Sequence, residues 1–164
     1  MKTLFIGGIK SGKSSNAEKF ILTNTKEKPI YLATTEFFDD EMSQKVLHHQ
    51  NLRGDSFVTL EEPLFLYKVL ETEKRPVLIE CISMWINNML YHEKTYEEME
   101  TEITKLLTLK QDMVFVINDV SSSVVSDNTL VREFVNINGM LSQLIAKMCE
   151  NVYHTVAGIS SKIK

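Results

Sequence analysis

The feature that most constrains this chain is a glycine-rich loop near its N-terminus, where residues 7–14 read GGIKSGKS. This string matches the pattern G-x-x-x-x-G-K-[ST], and it lies between a short apolar run at 3–7 and a stretch of helical character at 13–22. Gly7 and Gly12 allow successive backbone N–H groups to converge on phosphate oxygens, and the start of a helix adds partial positive charge. The sequence therefore predicts a strand–loop–helix unit that binds a nucleoside triphosphate.

The members of this phosphate loop have separate expected roles. The Lys13 ammonium is expected to reach the β- and γ-phosphates, and the Ser14 hydroxyl is expected to ligate Mg²⁺. The other members are expected to contact the triphosphate through the backbone of the loop: Gly7, Gly8, Ile9, Lys10, Ser11 and Gly12. Lys13 is for this reason also a candidate catalytic residue.

Short apolar runs alternate with longer helical stretches along the whole chain. The predicted strands cover residues 3–7, 30–35, 56–61, 76–81, 113–119 and 151–158. Predicted helices cover residues 13–22, 39–50, 63–71, 95–109 and 130–150. A further helical region follows the strand at 76–81 and ends at Leu90. Uninterrupted apolar strands separated by helices indicate an α/β fold, with a mostly parallel sheet and helices on both faces. The length of 164 residues suits one domain, a P-loop nucleotide-binding fold spanning 1–164.

Ligands of such sheets bind beyond the carboxyl ends of the strands, which directs attention to the residues found there. Thr34 and Thr35 end the predicted strand at 30–35. Glu80 lies at the end of the predicted strand at 76–81, and Asp119 ends the one at 113–119. A carboxylate at such a strand end is well placed to bind Mg²⁺ beside a phosphate loop. Glu80 is the preferred candidate and Asp119 competes with it.

Composition excludes several classes of function. The net charge is −4 and the pI about 5.6, so there is no electrostatic footprint for nucleic acid or for an anionic membrane. The two cysteines have neither metal-site spacing nor a disulfide framework, which favours a reduced, cytoplasmic setting. Cys81 is expected to be a small buried residue, and no run of residues is long and apolar enough to predict membrane insertion.

Two common classes of phosphate-loop protein fit poorly. A GTPase normally carries an N-K-x-D motif that reads guanine, and this chain has none. A nucleoside-monophosphate kinase usually closes an arginine-rich lid over the phosphates, but the arginines here are scattered along the chain: Arg53, Arg75 and Arg132.

Two of the four histidines, His48 and His49, stand side by side within KVLHHQ (45–50). Neighbouring side chains on a helix diverge by about 100°, so this pair is poorly suited to chelate one metal ion. A core or surface role is the simpler interpretation of either histidine. In a chain with a triphosphate site, however, a neutral His48 imidazole could attack an α-phosphorus and hold the nucleotide as a phosphoramidate.

Several segments, in order, resemble one known family: GGIKSGKS, YLATTE, DDEM…HH, TLEEP, LIECISMWINNML and VAGISSKIK. Over essentially its whole length, the chain is similar to the adenosylcobinamide kinase / adenosylcobinamide-phosphate guanylyltransferase family. The resemblance implies a bifunctional enzyme of cobalamin assembly. Such an enzyme phosphorylates adenosylcobinamide with ATP or GTP in the presence of Mg²⁺. It then attaches GMP from GTP to adenosylcobinamide phosphate and releases pyrophosphate.

The resemblance also implies roles for individual residues. His48 matches the family's guanylylated histidine, and Glu61 and Glu80 match its acidic contacts to guanosine or metal. Further nucleotide contacts are implied at Ala33, Thr34, Thr35, His49, Gln50, Asn51 and Leu52. A homo-oligomer, a trimer in this family, is implied as well.

The chain departs from the family pattern in its second half. Residues 119–126 read DVSSSVVS where the family has a glycine-containing loop that ends in Val-Pro. Val135-Asn136 and Ser142-Gln143 replace an Arg-Asp and an Asn-Gln pair, and Ser160 stands where proline is typical. Two other hypotheses therefore stay open: a phosphate-loop kinase of another small alcohol, and a non-catalytic nucleotide-binding regulator. Four apolar residues could line a corrinoid groove, although core or subunit contact is the simpler interpretation: Met84, Trp85, Met89 and Leu90.

Overall fold

The computed structural model describes residues 1–36, 54–121 and 125–164 and shows an α/β fold built on one seven-stranded sheet. The strands are β1 (Lys2–Gly7), β2 (Ile30–Ala33), β3 (Val58–Glu61), β4 (Val77–Glu80), β5 (Met113–Asn118), β6 (Asn151–Val156) and β7 (Ile159–Lys162). Their order across the sheet is β3-β2-β4-β5-β1-β6-β7. Every pairing is parallel except that of β6 with β7. The predicted mostly parallel sheet is confirmed.

The described helices connect the strands. They are α1 (Lys13–Asn24), α2 (Leu66–Leu70), α3 (Ile82–Tyr91), α4 (Tyr96–Thr108) and α5 (Thr129–Met148), with a short 3-10 turn at Gly54–Ser56. Two of these helices begin at side-chain caps. The Thr95 hydroxyl accepts from the Glu98 N–H in a capping box before α4, and Asn128 accepts from the first N–H groups of α5. The helix predicted at 39–50 lies outside the described residues.

Alternate residues of the central strands pack on opposite faces of the sheet, as the period of two requires. In β5, Met113, Phe115 and Ile117 enter one buried cluster, and Val114 and Val116 enter the other. Helix α1 covers the second face, where its Ala17 and Ile21 are buried. The other face receives the apolar side of the remaining described helices. Helices therefore lie on both faces, as predicted.

The C-terminal end differs from the prediction. The expected strand at 151–158 ends at Val156, and the chain turns at Ala157 and Gly158 before β7 runs back. Both turn residues have positive φ, 51° and 82°, which is the geometry of a two-residue hairpin. The predicted strand end at Gly158 is wrong, because Ala157 and Gly158 form the turn and do not continue the strand.

Helix α2 is also shorter than the predicted 63–71, since Phe65 adopts a non-helical conformation just before it. No helix in the described part of the chain is long and apolar enough to cross a membrane.

Candidate functional site

The phosphate loop follows β1 at the carboxyl edge of the sheet. Gly12, at the start of α1, has φ of 92° and Lys10 has φ of 59°, and the Ser11 N–H donates to the Gly8 carbonyl at 3.2 Å. The Lys13 side chain is 7% exposed and its Nζ donates to the Gly8 carbonyl at 3.3 Å. Lys13 therefore lies folded along the loop.

Ser14 and Glu80 meet directly, although they are 66 residues apart in sequence: the Ser14 hydroxyl donates to Glu80 Oε1 at 2.7 Å. Glu80 ends β4, which is separated from β1 by β5. Among the described residues, no group of three or more His, Cys, Asp or Glu side chains could hold a metal ion. A hydroxyl and a carboxylate fit Mg²⁺, which binds few protein ligands and completes its shell with water and phosphate oxygens.

The end of β2 is fastened to the end of β4 through Thr34, which is completely buried. Its hydroxyl donates to the Cys81 carbonyl and accepts from the Cys81 N–H, both at 2.9 Å, and its own N–H donates to the Glu80 carbonyl at 3.0 Å. The Asn88 side chain donates to the Thr34 carbonyl at 2.6 Å and to the Pro63 carbonyl at 3.1 Å. These contacts hold the backbone at Glu80 and Cys81.

A second buried network fastens the end of β5. The Ser83 hydroxyl donates to Asn138 Oδ1 at 2.7 Å and accepts from the Asn118 N–H at 2.9 Å. Asn138 in turn donates to the Asn118 carbonyl at 2.9 Å. Helix α3 therefore carries buried polar side chains, Ser83 and Asn88, that organise the carboxyl edge of the sheet beside its apolar core residues.

Asp119 follows β5 and faces a different set of partners. Its Oδ1 accepts from the Ser121 hydroxyl at 2.5 Å and from the Ser121 N–H at 3.0 Å, while its Oδ2 lies 3.9 Å from His154 Nε2. The hydrogen bond from the Ser121 hydroxyl lowers the pKa of the Asp119 carboxyl, against the effect of desolvation. Of the two candidate carboxylates, Glu80 is the one that contacts Ser14.

Burial governs the thiol beside the site. It raises the pKa of Cys81 to about 11, and the neighbouring Glu80 charge acts in the same direction. Cys81 is free, as is Cys149, so neither is part of a disulfide. Cys81 as a whole is half-buried, so the expectation of a fully buried residue is met only in part. A thiol that stays protonated at neutral pH is a weak nucleophile.

The structure brings some predicted site residues together and separates others. Ala33 is in register with both Glu61 and Glu80, so these residues form one row across the carboxyl edge. Glu61 is exposed and Thr35 half-buried at that edge. Trp85 and Met89 lie in the core, as the simpler interpretation of those residues held. Five predicted residues lie outside the described part of the chain: His48, His49, Gln50, Asn51 and Leu52.

Sequence reasoning missed two features of the site. Asn88 occupies a position in α3 where the helical spacing predicts a buried apolar side chain. A polar residue at such a position was the sequence signal for a buried hydrogen-bonding role. The C-terminal hairpin reaches the phosphate loop, where the Gly158 N–H donates to the Ser11 carbonyl at 2.7 Å. No local pattern could reveal this contact, because it joins the two ends of the chain.

Residues 3–163 match the family model described as cobinamide kinase / cobinamide phosphate guanyltransferase. The chain belongs to this family. The bifunctional adenosylcobalamin biosynthesis protein CobP of Pseudomonas aeruginosa is 34% identical over 170 residues, which cover 100% of this chain and 98% of that protein. The bifunctional adenosylcobalamin biosynthesis protein CobU of Escherichia coli is 32% identical over 183 residues, with 100% of both chains covered.

Solved structures show the same fold with little sequence similarity. Flagellar accessory protein FlaH from Methanocaldococcus jannaschii superposes with a TM-score of 0.54 at 13% identity, and the match covers 99% of this chain and 77% of that one. The predicted P-loop fold is thereby confirmed. Cobinamide kinase / cobinamide phosphate guanyltransferases are transferases that act on cobinamide substrates, and membership of this family implies that a nucleotide is used.

Proposed function

We propose that this chain is a bifunctional transferase that phosphorylates adenosylcobinamide and then transfers GMP from GTP to adenosylcobinamide phosphate. The observation that carries the proposal is an intact phosphate loop, with Ser14 in contact with Glu80, inside a chain that matches the family over residues 3–163. The two bifunctional relatives align with the whole chain, which supports both activities in this one domain, 1–164.

In the kinase step, the aminopropanol hydroxyl oxygen of adenosylcobinamide attacks the γ-phosphorus of ATP or GTP. A new O–P bond forms, the bond to the β–γ bridging oxygen breaks, and the nucleoside diphosphate leaves as the hydroxyl proton is released. The phosphate loop orients the triphosphate, and the Lys13 ammonium offsets the charge on the β- and γ-phosphates. Lys13 already lies along the loop, at 3.3 Å from the Gly8 carbonyl, so only its side chain has to turn toward the phosphate.

In the guanylyl step, an imidazole nitrogen of His48 attacks the α-phosphorus of GTP. An N–P bond forms, the bond to the α–β bridging oxygen breaks, and pyrophosphate leaves. A phosphate oxygen of adenosylcobinamide phosphate then attacks the same phosphorus, so the N–P bond breaks and His48 is restored. The proposal for His48 depends on the family resemblance, since residues 37–53 lie outside the described part of the chain.

Ser14 and Glu80 would hold Mg²⁺, which when bound neutralises phosphate charge during both transfers. The Ser14 hydroxyl and the Glu80 carboxylate are the residues of this chain that keep that position beside the loop. Further nucleotide contacts are proposed for Glu61 and for the end of β2. All polar atoms of Thr34 are engaged by Cys81, Glu80 and Asn88, so the polar side-chain contact there falls to Thr35.

Two further properties belong to the proposal. A homo-oligomer, specifically a trimer, follows from the family resemblance. A cytoplasmic setting is supported by the two free cysteines, because a reduced thiol is ordinary in that compartment.

The first test is intact-mass spectrometry after incubation with GTP and Mg²⁺. Wild type is expected to gain the mass of one GMP, and His48→Ala to gain none. His49→Ala is the matched control, because it removes the neighbouring imidazole and leaves His48 in place. The adduct should be labile in acid and stable in base, as a phosphoramidate is.

The other outcomes separate the alternatives. Transfer of γ-phosphate to a small alcohol without a covalent nucleotide would contradict the guanylyl step and favour a simple kinase. Tight GTP binding with no transfer and no adduct would favour a nucleotide-binding regulator. An adduct that survives His48→Ala would assign the nucleophile to another residue.

A further inference from the structure

The C-terminal hairpin makes direct contact with the phosphate loop. We call residues 156–160 the hairpin turn; it joins β6 to β7 through Ala157 and Gly158. The Gly158 N–H donates to the Ser11 carbonyl at 2.7 Å. The Ser11 carbonyl belongs to the peptide that leads into Gly12, so this bond fixes the orientation of a peptide inside the loop itself.

Close packing accompanies that hydrogen bond. A Cβ atom added at Gly12 would lie 3.0 Å from Gly158 Cα, and one added at Gly7 would lie 2.4 Å from the Thr155 carbonyl oxygen. The second distance is shorter than any real Cβ contact with a backbone atom. Of the two glycines, Gly12 has the positive φ, and the hairpin turn also lies close against it. Gly7 is needed because β6 lies against it.

Asn16, in the first turns of α1, connects the helix to the hairpin turn. Its Nδ2 donates to the Gly158 carbonyl at 2.9 Å and to the Ser160 hydroxyl at 2.8 Å. The Ser160 hydroxyl also shares a hydrogen bond of 2.8 Å with the Thr155 hydroxyl. Ser160, where the family pattern has proline, thus supplies a polar contact that a proline side chain lacks.

We propose that the hairpin turn and Asn16 hold the phosphate loop in its triphosphate-binding shape, and that Asn16 and Ser160 are positioning residues for nucleotide binding. This inference rests on the proposed function, since it presumes that the loop binds a triphosphate. Neither side chain needs to touch the nucleotide. Each acts through the Gly158 and Ser11 backbone, which sets where the loop N–H groups point.

The test measures binding by calorimetry for two probes, Mg-GTP and inorganic tripolyphosphate, which has no nucleoside. Asn16→Leu keeps the side-chain size and removes both donated bonds. Asn24→Leu is the matched control, because Asn24 lies at the far end of the same helix and donates only to the Phe20 carbonyl. Asn16→Leu should lower the affinity for both probes by the same factor, on the order of 5- to 10-fold for one to two lost hydrogen bonds. Asn24→Leu should bind both probes as wild type does.

A second pair keeps the test decisive if Asn16→Leu fails to fold. Ser160→Ala removes the hydroxyl and Ser160→Thr retains it, at a half-buried position on the edge strand β7. Ser160→Ala is expected to lower the affinity for both probes by about 2- to 5-fold, which corresponds to one hydrogen bond. Ser160→Thr is expected to leave both affinities unchanged. Binding is measured well below the unfolding midpoint of each ligand-free variant, so that only folded protein is titrated.

Each contrary result has its own meaning. Unchanged affinity in Asn16→Leu and Ser160→Ala would overturn the inference and leave the proposed function standing. Weaker binding of GTP with unchanged binding of tripolyphosphate would overturn it too, since the hairpin turn would then contact the nucleoside. A wild type that binds neither probe would overturn the proposed function, and the inference with it.

Discussion

The phosphate loop is held from two sides by different kinds of structure. On one side Glu80 reaches Ser14, and the backbone around Glu80 is fastened by the buried side chains of Thr34 and Asn88. On the other side the hairpin turn reaches Ser11 and Asn16 with contacts that are partly exposed. We call these the acidic side and the hairpin side.

The two sides differ in how deeply their hydrogen bonds are buried, and this difference corresponds to what each side holds in place. The metal-binding role proposed for Glu80 requires its carboxylate to keep its position to a fraction of an ångström, and buried hydrogen bonds provide that rigidity. The hairpin side holds backbone peptides through two small, half-buried side chains, Asn16 and Ser160. Substitutions on the acidic side should therefore have larger effects than those on the hairpin side.

The largest effect is expected for Glu80→Gln. The amide keeps the shape of the side chain but removes the charge beside Ser14, so phosphoryl transfer at limiting Mg²⁺ should fall about 100-fold, the upper range for loss of a metal-site partner. Raising the Mg²⁺ concentration in steady-state assays should restore part of the rate. Asp119→Asn is the control, because it removes a carboxylate at the same edge of the sheet that accepts from Ser121. Equal losses in the two variants would show that general negative charge, not the Ser14 contact, matters.

Next comes Asn88→Leu, which leaves the Thr34 and Pro63 carbonyls without their buried donor. The free energy of unfolding should fall by about 2 to 3 kcal/mol, since each buried carbonyl without a partner costs about 1 kcal/mol or more. Asn87→Leu is the matched control because Asn87 is the preceding residue and is exposed. Urea denaturation of both variants measures the difference in the free energy of unfolding. Similar stabilities would show that the hydrogen bonds from Asn88 to the Thr34 and Pro63 carbonyls contribute little.

A smaller effect is expected for Gly7→Ala on the hairpin side. The new Cβ would lie 2.4 Å from the Thr155 carbonyl oxygen, so β1 and β6 must shift. This should cost about 2 kcal/mol of stability. Gly8→Ala is the control, because no atom of the described residues lies within 4 Å of a Cβ at Gly8. Thermal unfolding of the ligand-free proteins should separate the two variants, and equal midpoints would contradict the close packing described at Gly7.

The smallest effect is expected for Asp119→Asn. Because the folded-state pKa of Asp119 is lowered, its contribution to stability exists above the unfolded pKa and is lost as pH falls through the folded pKa. The partly exposed carboxyl should contribute less than about 1 kcal/mol near neutral pH. Denaturation of wild type and variant at neutral pH and below about pH 3 should show the gap closing in acid. A stability difference between wild type and variant that widens in acid would contradict a lowered pKa for Asp119.

Much of the fold could be predicted from local patterns. The alternation of apolar runs with helical stretches predicted a mostly parallel sheet with helices on both faces, because buried strands and amphipathic helices have different periods. The phosphate loop was predicted because its glycines, lysine and serine are close together in sequence. The hairpin at Ala157 was missed, since a non-glycine residue with positive φ gives a weak local signal.

The sequence by itself determined the phosphate loop, the class of the sheet and, through an ordered set of motifs, the family. Only the tertiary structure decided that Glu80, not Asp119, contacts Ser14, and that the C-terminal hairpin braces the loop. The physical reason is distance along the chain. Ser14 and Glu80 are 66 residues apart, and Asn16 and Gly158 are 142 apart, so each contact exists only once the strands take their order in the sheet. That order is set by burying both faces of the sheet together, which no short segment encodes alone.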